Sequence, residues 1–269
     1  MQTELKNATV ESTAEERFGY RYGSKGTHSS RTIMFDELSQ LLESAAPSST
    51  RADYARAIID ENVADKKTVA TRRHTIQHLS ELYGLDPSLV LFRVFRRFWD
   101  ADPAGRPLLA LLCALARDPL LRLTSPVVLA LKFGEELSRQ KILSAIQEET
   151  GERLNADSID KVVRNCSSSW TQSGHLQGRM RKIRQRVEAT PQVVAYALML
   201  GYLQGIRGSQ LLRTPWARVL DATPEQLIHG AKDAKRFGAL DMKQAGDVVE
   251  IGFSTLLTRD EIRDSYGKN

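Results

Sequence analysis

The sequence predicts a mainly α-helical protein, a multi-helical core with short β-hairpins attached. Apolar residues recur at helical spacing almost throughout: Ile33, Leu38, Leu41 and Leu42; Tyr54, Ile58 and Ile59; Val69, Ile76, Leu79 and Tyr83; Leu91, Val94, Phe95 and Phe98. Helix punctuation agrees with that spacing. Pro47 and Gly84-Leu85-Asp86-Pro87 close segments, while Thr190-Pro191 and Thr223-Pro224 open others with proline at the first helical position. Strand-like alternation is confined to Ser173–Val187 and to Leu240–Phe253, where Val249, Ile251 and Phe253 follow an Ala-Gly-Asp turn.

With 269 residues, 41% of them hydrophobic and 26% charged, the chain can bury a sizeable core as one large domain or two smaller ones. Residues 1–30 are rich in Thr, Ser, Gly and Glu and read as a polar, partly disordered segment. No apolar stretch follows a basic start there, so secretion is not expected and the cytoplasm is the expected location. The longest apolar run, Pro107–Ala116, is about half the ~20 residues a membrane-spanning helix needs, and Arg117 and Asp118 close it. It reads as a buried core helix, and no membrane partner is expected. Cys113 and Cys166 lie on apolar helical faces without metal-ligand spacing, which predicts buried, reduced thiols.

Residues 31–136 read as a helical N-terminal domain. Within it, residues 51–84 give a helix, a turn and a second helix that carries Lys67, Thr71, His74 and His78 on one face with Arg72 and Arg73 beside it. A helix-turn-helix and two plain bundle helices fit that stretch equally well. Residues 190–269 read as a helical C-terminal region with a terminal hairpin. Its first helix, "TPQVVAYALMLGYLQG", is apolar on nearly every side and belongs at the centre of the core. Thr223 with Gln226 makes a capping box for a later helix, which stops at Gly238 before the hairpin over 240–253.

Residues 137–189 hold the charge signal. The chain has a formal charge of +5, yet Lys161 to Val187 contains seven Lys or Arg and no Asp or Glu. The basicity is local, as an electrostatic binding footprint requires. Leu137-Ser138 ahead of Ile142 predicts an N-cap with a hydrophobic staple, and the helix carries Ile142, Leu143 and Ile146 up to Gly151. Asn155 caps a second helix with Asp157 in its first turn; Ile159, Val162, Val163, Cys166 and Trp170 form its apolar stripe. Its opposite face shows Lys161, Arg164, Asn165 and Ser168. Gly174 and Gly178 then permit a change of direction into "RMRKIRQRV". There Lys182, Arg184 and Arg186 alternate with Ile183, Gln185 and Val187 as in a strand, although Met180, Ile183 and Val187 also fit a helical face; the strand is preferred. Helix, tight turn, helix and basic hairpin follow in the order of a winged helix-turn-helix.

Chemistry beyond charge is not evident. "GSKGTHSS" lacks the order of a phosphate loop, and His74 with His78 lacks the glutamate and third ligand of a metalloprotease site. No nucleophile elbow and no carboxylate cluster stands out, so neither enzyme activity nor a cofactor is expected.

The stretches "ELSQLL", "DYARAIIDENVADKKTVATRRHTIQHLSELYGLDP", "RPLLALLCALARDPLLR", "SSSWTQSGHLQGRMRKIRQR" and "YALMLGYLQG" together resemble BrxA-type proteins of bacteriophage exclusion (BREX) systems. The resemblance implies a mostly helical, non-enzymatic DNA-binding accessory protein with winged-helix character that works beside other phage-defence proteins. The polar N terminus and the terminal hairpin lie outside it, and it assigns no binding residue.

From the residues themselves, the expected function is binding of double-stranded DNA. Arg179, Arg181, Lys182, Arg184 and Arg186 are expected to contact phosphates, and Lys161, Arg164, Asn165 and Ser168 to face the groove. The alternative is a scaffold or adaptor whose basic surface docks an acidic protein partner without nucleic acid.

Overall fold

The computed structural model describes residues 13–246 and 248–266. The described chain is mainly helical with two two-stranded antiparallel sheets. The first half comprises α1 (Ala14–Phe18), α2 (Phe35–Ser44), α3 (Arg51–Ile59), α4 (Val69–Tyr83), α5 (Val90–Ala101), α6 (Arg106–Arg117), α7 (Pro119–Leu123) and α8 (Ser125–Leu129). There follow α9 (Arg139–Thr150), α10 (Ala156–Gln172), β1 (Leu176–Gln177) and β2 (Ile183–Arg184). The chain continues through α11 (Pro191–Leu203), α12 (Pro215–Arg218), α13 (Pro224–Arg236), β3 (Asp241–Ala245), β4 (Val248–Gly252) and α14 (Arg259–Asp264).

Two helices without a polar face organise the interior. α6 is buried from Leu108 to Arg117 and α11 from Val193 to Leu203, and they pack on each other. α5 is amphipathic and packs on both; its Phe95 ring lies 6.3 Å from Tyr196 of α11 and 5.7 Å from Tyr83 at the end of α4. α13 covers α11 from the other side, so one apolar core runs through the segments expected as 31–136, 137–189 and 190–269.

The predicted starts hold at the level of single hydrogen bonds. Thr190 accepts from Val193 N, and Thr223 forms the expected capping box with Gln226. Ser138 does occupy the N-cap of α9, but its side chain caps nothing. The terminal hairpin pairs Met242 with Ile251 and buries Val249, Ile251 and Phe253, as their alternation predicts.

Residues 1–12 of the segment expected to be partly disordered lie outside the described residues, but residues 13–30 pack on the core. Thr13 and Glu16 form a capping box, Phe18 and Tyr20 are buried, and the Tyr20 hydroxyl donates to Leu200 O at 2.6 Å. Polar composition concealed a strap whose few aromatic residues have specific sockets. Among the described residues, no helix is long and apolar enough to cross a membrane.

Candidate nucleic-acid interface

α9 and α10 are joined through residues 151–155, and α10 leads directly into the β1–β2 hairpin. Asn155 accepts from Ser158 N at 2.9 Å and caps α10; Ile159, Val162, Val163, Cys166 and Trp170 are buried, as the stripe predicts. β1 and β2 pair Leu176 with Arg184 and Gln177 with Ile183, while Glu136 bridges Ile183 from the other side. The bridge is reinforced where Leu137 N donates to Lys182 O at 2.8 Å and Arg184 N to Glu135 O at 2.9 Å. The strand reading of "RMRKIRQRV" therefore holds only at 183–184, and residues 178–182 form the tip. Gly178 has φ +108°, and a Cβ there would lie 2.0 Å from Arg181 O, so this turn requires glycine.

The structure sorts eight of the nine expected contact residues into three groups, with Ser168 apart. Lys161, Arg179 and Arg186 are exposed. The Arg186 guanidinium stacks 4.9 Å from the centre of the half-exposed Phe133 ring, which orients it without neutralising it. Arg164 and Arg181 are exposed but paired, Arg164 Nε with Asp160 Oδ2 at 3.4 Å and Arg181 Nη2 with Glu136 Oε2 at 2.7 Å. Exposed pairs of this kind are worth about 1 kcal/mol or less, so a phosphate can replace the carboxylate. Ser168 is half-buried on the same helix.

The remaining three are committed to the fold. Lys182 donates to Thr171 Oγ1 at 2.9 Å and Gly178 O at 3.3 Å, and partial burial lowers its pKa. Asn165 gives its side-chain N–H to His28 O at 2.9 Å instead of a base edge. Arg184, expected to contact phosphate, is 1% exposed: it pairs with Asp221 and donates to Val128 O at 3.2 Å. Strand alternation from Lys182 would leave Arg184 outside. The pairing of residues 134–137 along β2 instead turns residue 184 inward, where a carboxylate from the α12–α13 connection meets it.

Sequence reading also missed what holds α10 in place. His28 Nδ1 lies 2.9 Å from Asp118 Oδ2, and His28 Nε2 lies 2.8 Å from Ser169 Oγ. Ser169 Oγ accepts from Ile33 N at 2.9 Å and donates to Asn165 O at 2.9 Å. Burial pushes the Asp118 carboxyl up, but His28 and the N–H groups of Leu121 and His28 outweigh it and hold the group below the usual carboxylate range. Although Ser, His and Asp stand in the order of a hydrolase triad, His28 and Ser169 are 0% exposed. The hydroxyl serves a backbone carbonyl. The network pins the N-terminal strap to α7 and α10. Only the mixed company of His28 in a polar segment hinted at it.

The other expected features are quieter. In the 51–84 pair, Arg72 donates to Ile59 O and Lys66 O, both at 3.1 Å, and so serves the end of α3. His74 and His78 stack with ring centres 6.4 Å apart, and among the described residues no group of three His, Cys, Asp or Glu is placed to hold a metal ion. At the terminal hairpin Lys243 is 3.9 Å from Glu250. Both cysteines are free and buried, and burial pushes the Cys113 thiol up to about 11. No protein-family model matches the chain, and no curated protein sequence matches it significantly.

Proposed function

We propose that this protein binds double-stranded DNA through the exposed face of α10 and the tip of the β1–β2 hairpin, as a non-enzymatic accessory component of a BREX-like phage-defence system. The observation that carries the reading is the coincidence of cations with a suitable shape. Lys161, Arg164, Arg179, Arg181 and Arg186 all project from a helix, turn, helix and hairpin in which a preceding segment bridges the second strand. A winged helix-turn-helix presents its second helix to the major groove and its hairpin to the flanking backbone in this order. The tip adds Met180, 91% exposed between Arg179 and Arg181, an apolar side chain of the kind that wedges into a minor groove. Arg184 and Asn165 are not part of the proposed contact set. The partnership with other defence proteins rests on the sequence resemblance alone.

Mobility shift of a duplex at low and moderate salt tests the proposal. Lys161→Glu/Arg179→Glu/Arg186→Glu is expected to abolish the shift. Undiminished binding by that variant overturns the proposal. Binding to an acidic protein with no duplex binding at any salt would replace it with the adaptor reading.

A further inference from the structure

A second basic site lies on another part of the molecule. Arg21, Arg51, Arg73 and Arg117 line one cleft of about 490 Å³ together with Ser80 and Gln77. Arg21 follows α1, Arg51 opens α3, Arg73 lies on α4 and Arg117 ends α6, so four separate elements converge. Arg117 is only 7% exposed. Its Nε donates to Glu81 O at 3.1 Å, its Nη2 to Ser80 O at 3.2 Å and its Nη1 to Gly19 O. Arg21 Nη1 donates to the same Glu81 carbonyl at 3.1 Å. Two guanidinium groups thus share one neutral acceptor.

Two guanidinium groups on one carbonyl call for a counter-charge, and the protein supplies less than the four arginines carry. The Ser80 and Glu81 carbonyls belong to the last turn of α4, whose dipole offers roughly half a negative charge against two full positive ones. Glu81 borders the cleft with one full negative charge, its carboxylate held by Thr27 Oγ1 at 2.7 Å and Gln77 Nε2 at 3.1 Å, with His78 at 3.5 Å, against the four arginines of the lining. Asp86 is near enough to feel Arg51 but accepts from Ser88 N and Oγ at 2.9 and 2.7 Å. A guanidinium has five N–H donors, and Arg117 spends three on carbonyls.

We infer that this cleft is a binding site for the phosphate or pyrophosphate group of a small phosphorylated molecule, with Arg51 and Arg73 as the exposed clamp and Arg21 and Arg117 as the fixed cationic floor. Planar guanidinium forks match phosphate oxygens in a bidentate way. The volume falls in the range of small-ligand clefts, roughly 300–1,000 Å³. A cation as deeply set as Arg117 suits a terminal phosphate and not the outer backbone of a duplex.

Inorganic pyrophosphate and ATP are the probes, titrated into the full chain at constant ionic strength by calorimetry and thermal shift. Both are expected to bind and raise Tm, and Arg51→Glu/Arg73→Glu, at exposed positions that leave the fold intact by circular dichroism, is expected to weaken them at least about tenfold. Lys161→Glu/Arg179→Glu leaves them unchanged. Failure of both probes to bind wild-type protein overturns the inference, as does binding that survives Arg51→Glu/Arg73→Glu. Displacement of pyrophosphate by a short duplex, lost in the same variant, would assign the cleft to a nucleic-acid backbone and overturn the small-molecule reading.

Discussion

Arg184 of β2 and Asp221 of the α12–α13 connection form a buried ion pair, with side chains 1% and 6% exposed. Asp221 holds a left-handed backbone, φ 51°, and its other oxygen accepts from Val187 N at 3.1 Å. The pair therefore fixes the base of the hairpin to the C-terminal region, on the side away from its exposed tip. Removing one member leaves a buried charge without its partner.

Asp221→Ala is accordingly expected to destabilise the protein by about 3–5 kcal/mol in urea unfolding. Replacing both members, Arg184→Met/Asp221→Asn, should recover most of that loss, because no unpaired charge remains while Asn keeps an acceptor for Val187 N and tolerates the left-handed backbone. A double replacement as unstable as the single one would show that the ion pair is not the source.

The exposed cations should behave differently from Arg184. Single Glu substitutions at Lys161, Arg179 or Arg186 are expected to leave urea stability within about 0.5 kcal/mol and lower duplex affinity. Each alanine substitution should reduce the slope of log affinity against log salt by about 1. At a surface concerned only with solubility, none of these slopes would move.

Ser169→Ala removes the group that joins His28, Ile33 N and Asn165 O. It strands polar groups in the interior and is expected to cost about 2 kcal/mol or more, with hydrogen exchange rising at the amides of residues 27–33. Serine-reactive phosphonate probes should not label wild-type protein, since Ser169 is 0% exposed. Labelling at Ser169 would reopen the hydrolase reading.

His175 is buried between Ser173 and Val219 O, and burial lowers its pKa to about 4 from the ordinary 6.5, against the opposing pull of the Val219 carbonyl and Asp221. The unfolded chain protonates near 6.5 while the folded one resists until about 4. Protons thus favour the unfolded state in that window: stability present above 6.5 is lost as pH falls to about 4, by about 3 kcal/mol in all. Urea midpoints measured across the window should fall in wild type and flatten in His175→Gln.

The helical plan was legible because its signals are local. The stripe Ile159, Val162, Val163, Cys166 and Trp170, the caps at Asn155, Thr190 and Thr223, and the all-apolar helix after Pro191 each need only their own neighbours, and each is found where the spacing predicts it. Glycines at 174 and 178 likewise announced the change of direction before the hairpin, both with positive φ. The fate of the basic stretch was not legible. Seven cations from Lys161 to Val187 carry no acid among them in sequence; Asp160, the i,i+4 partner of Arg164, stands just before the window, but Glu136 and Asp221 come to them from distant parts of the chain. The same holds for His28, Asp118 and Ser169, and for the four arginines of the cleft, which share no pattern along the chain. Sequence by itself determined which segments are helical and where positive charge is concentrated, since both follow from short-range periodicity and composition. Only the tertiary structure decided which charges remain free, because Coulomb attraction and burial depend on distance through space.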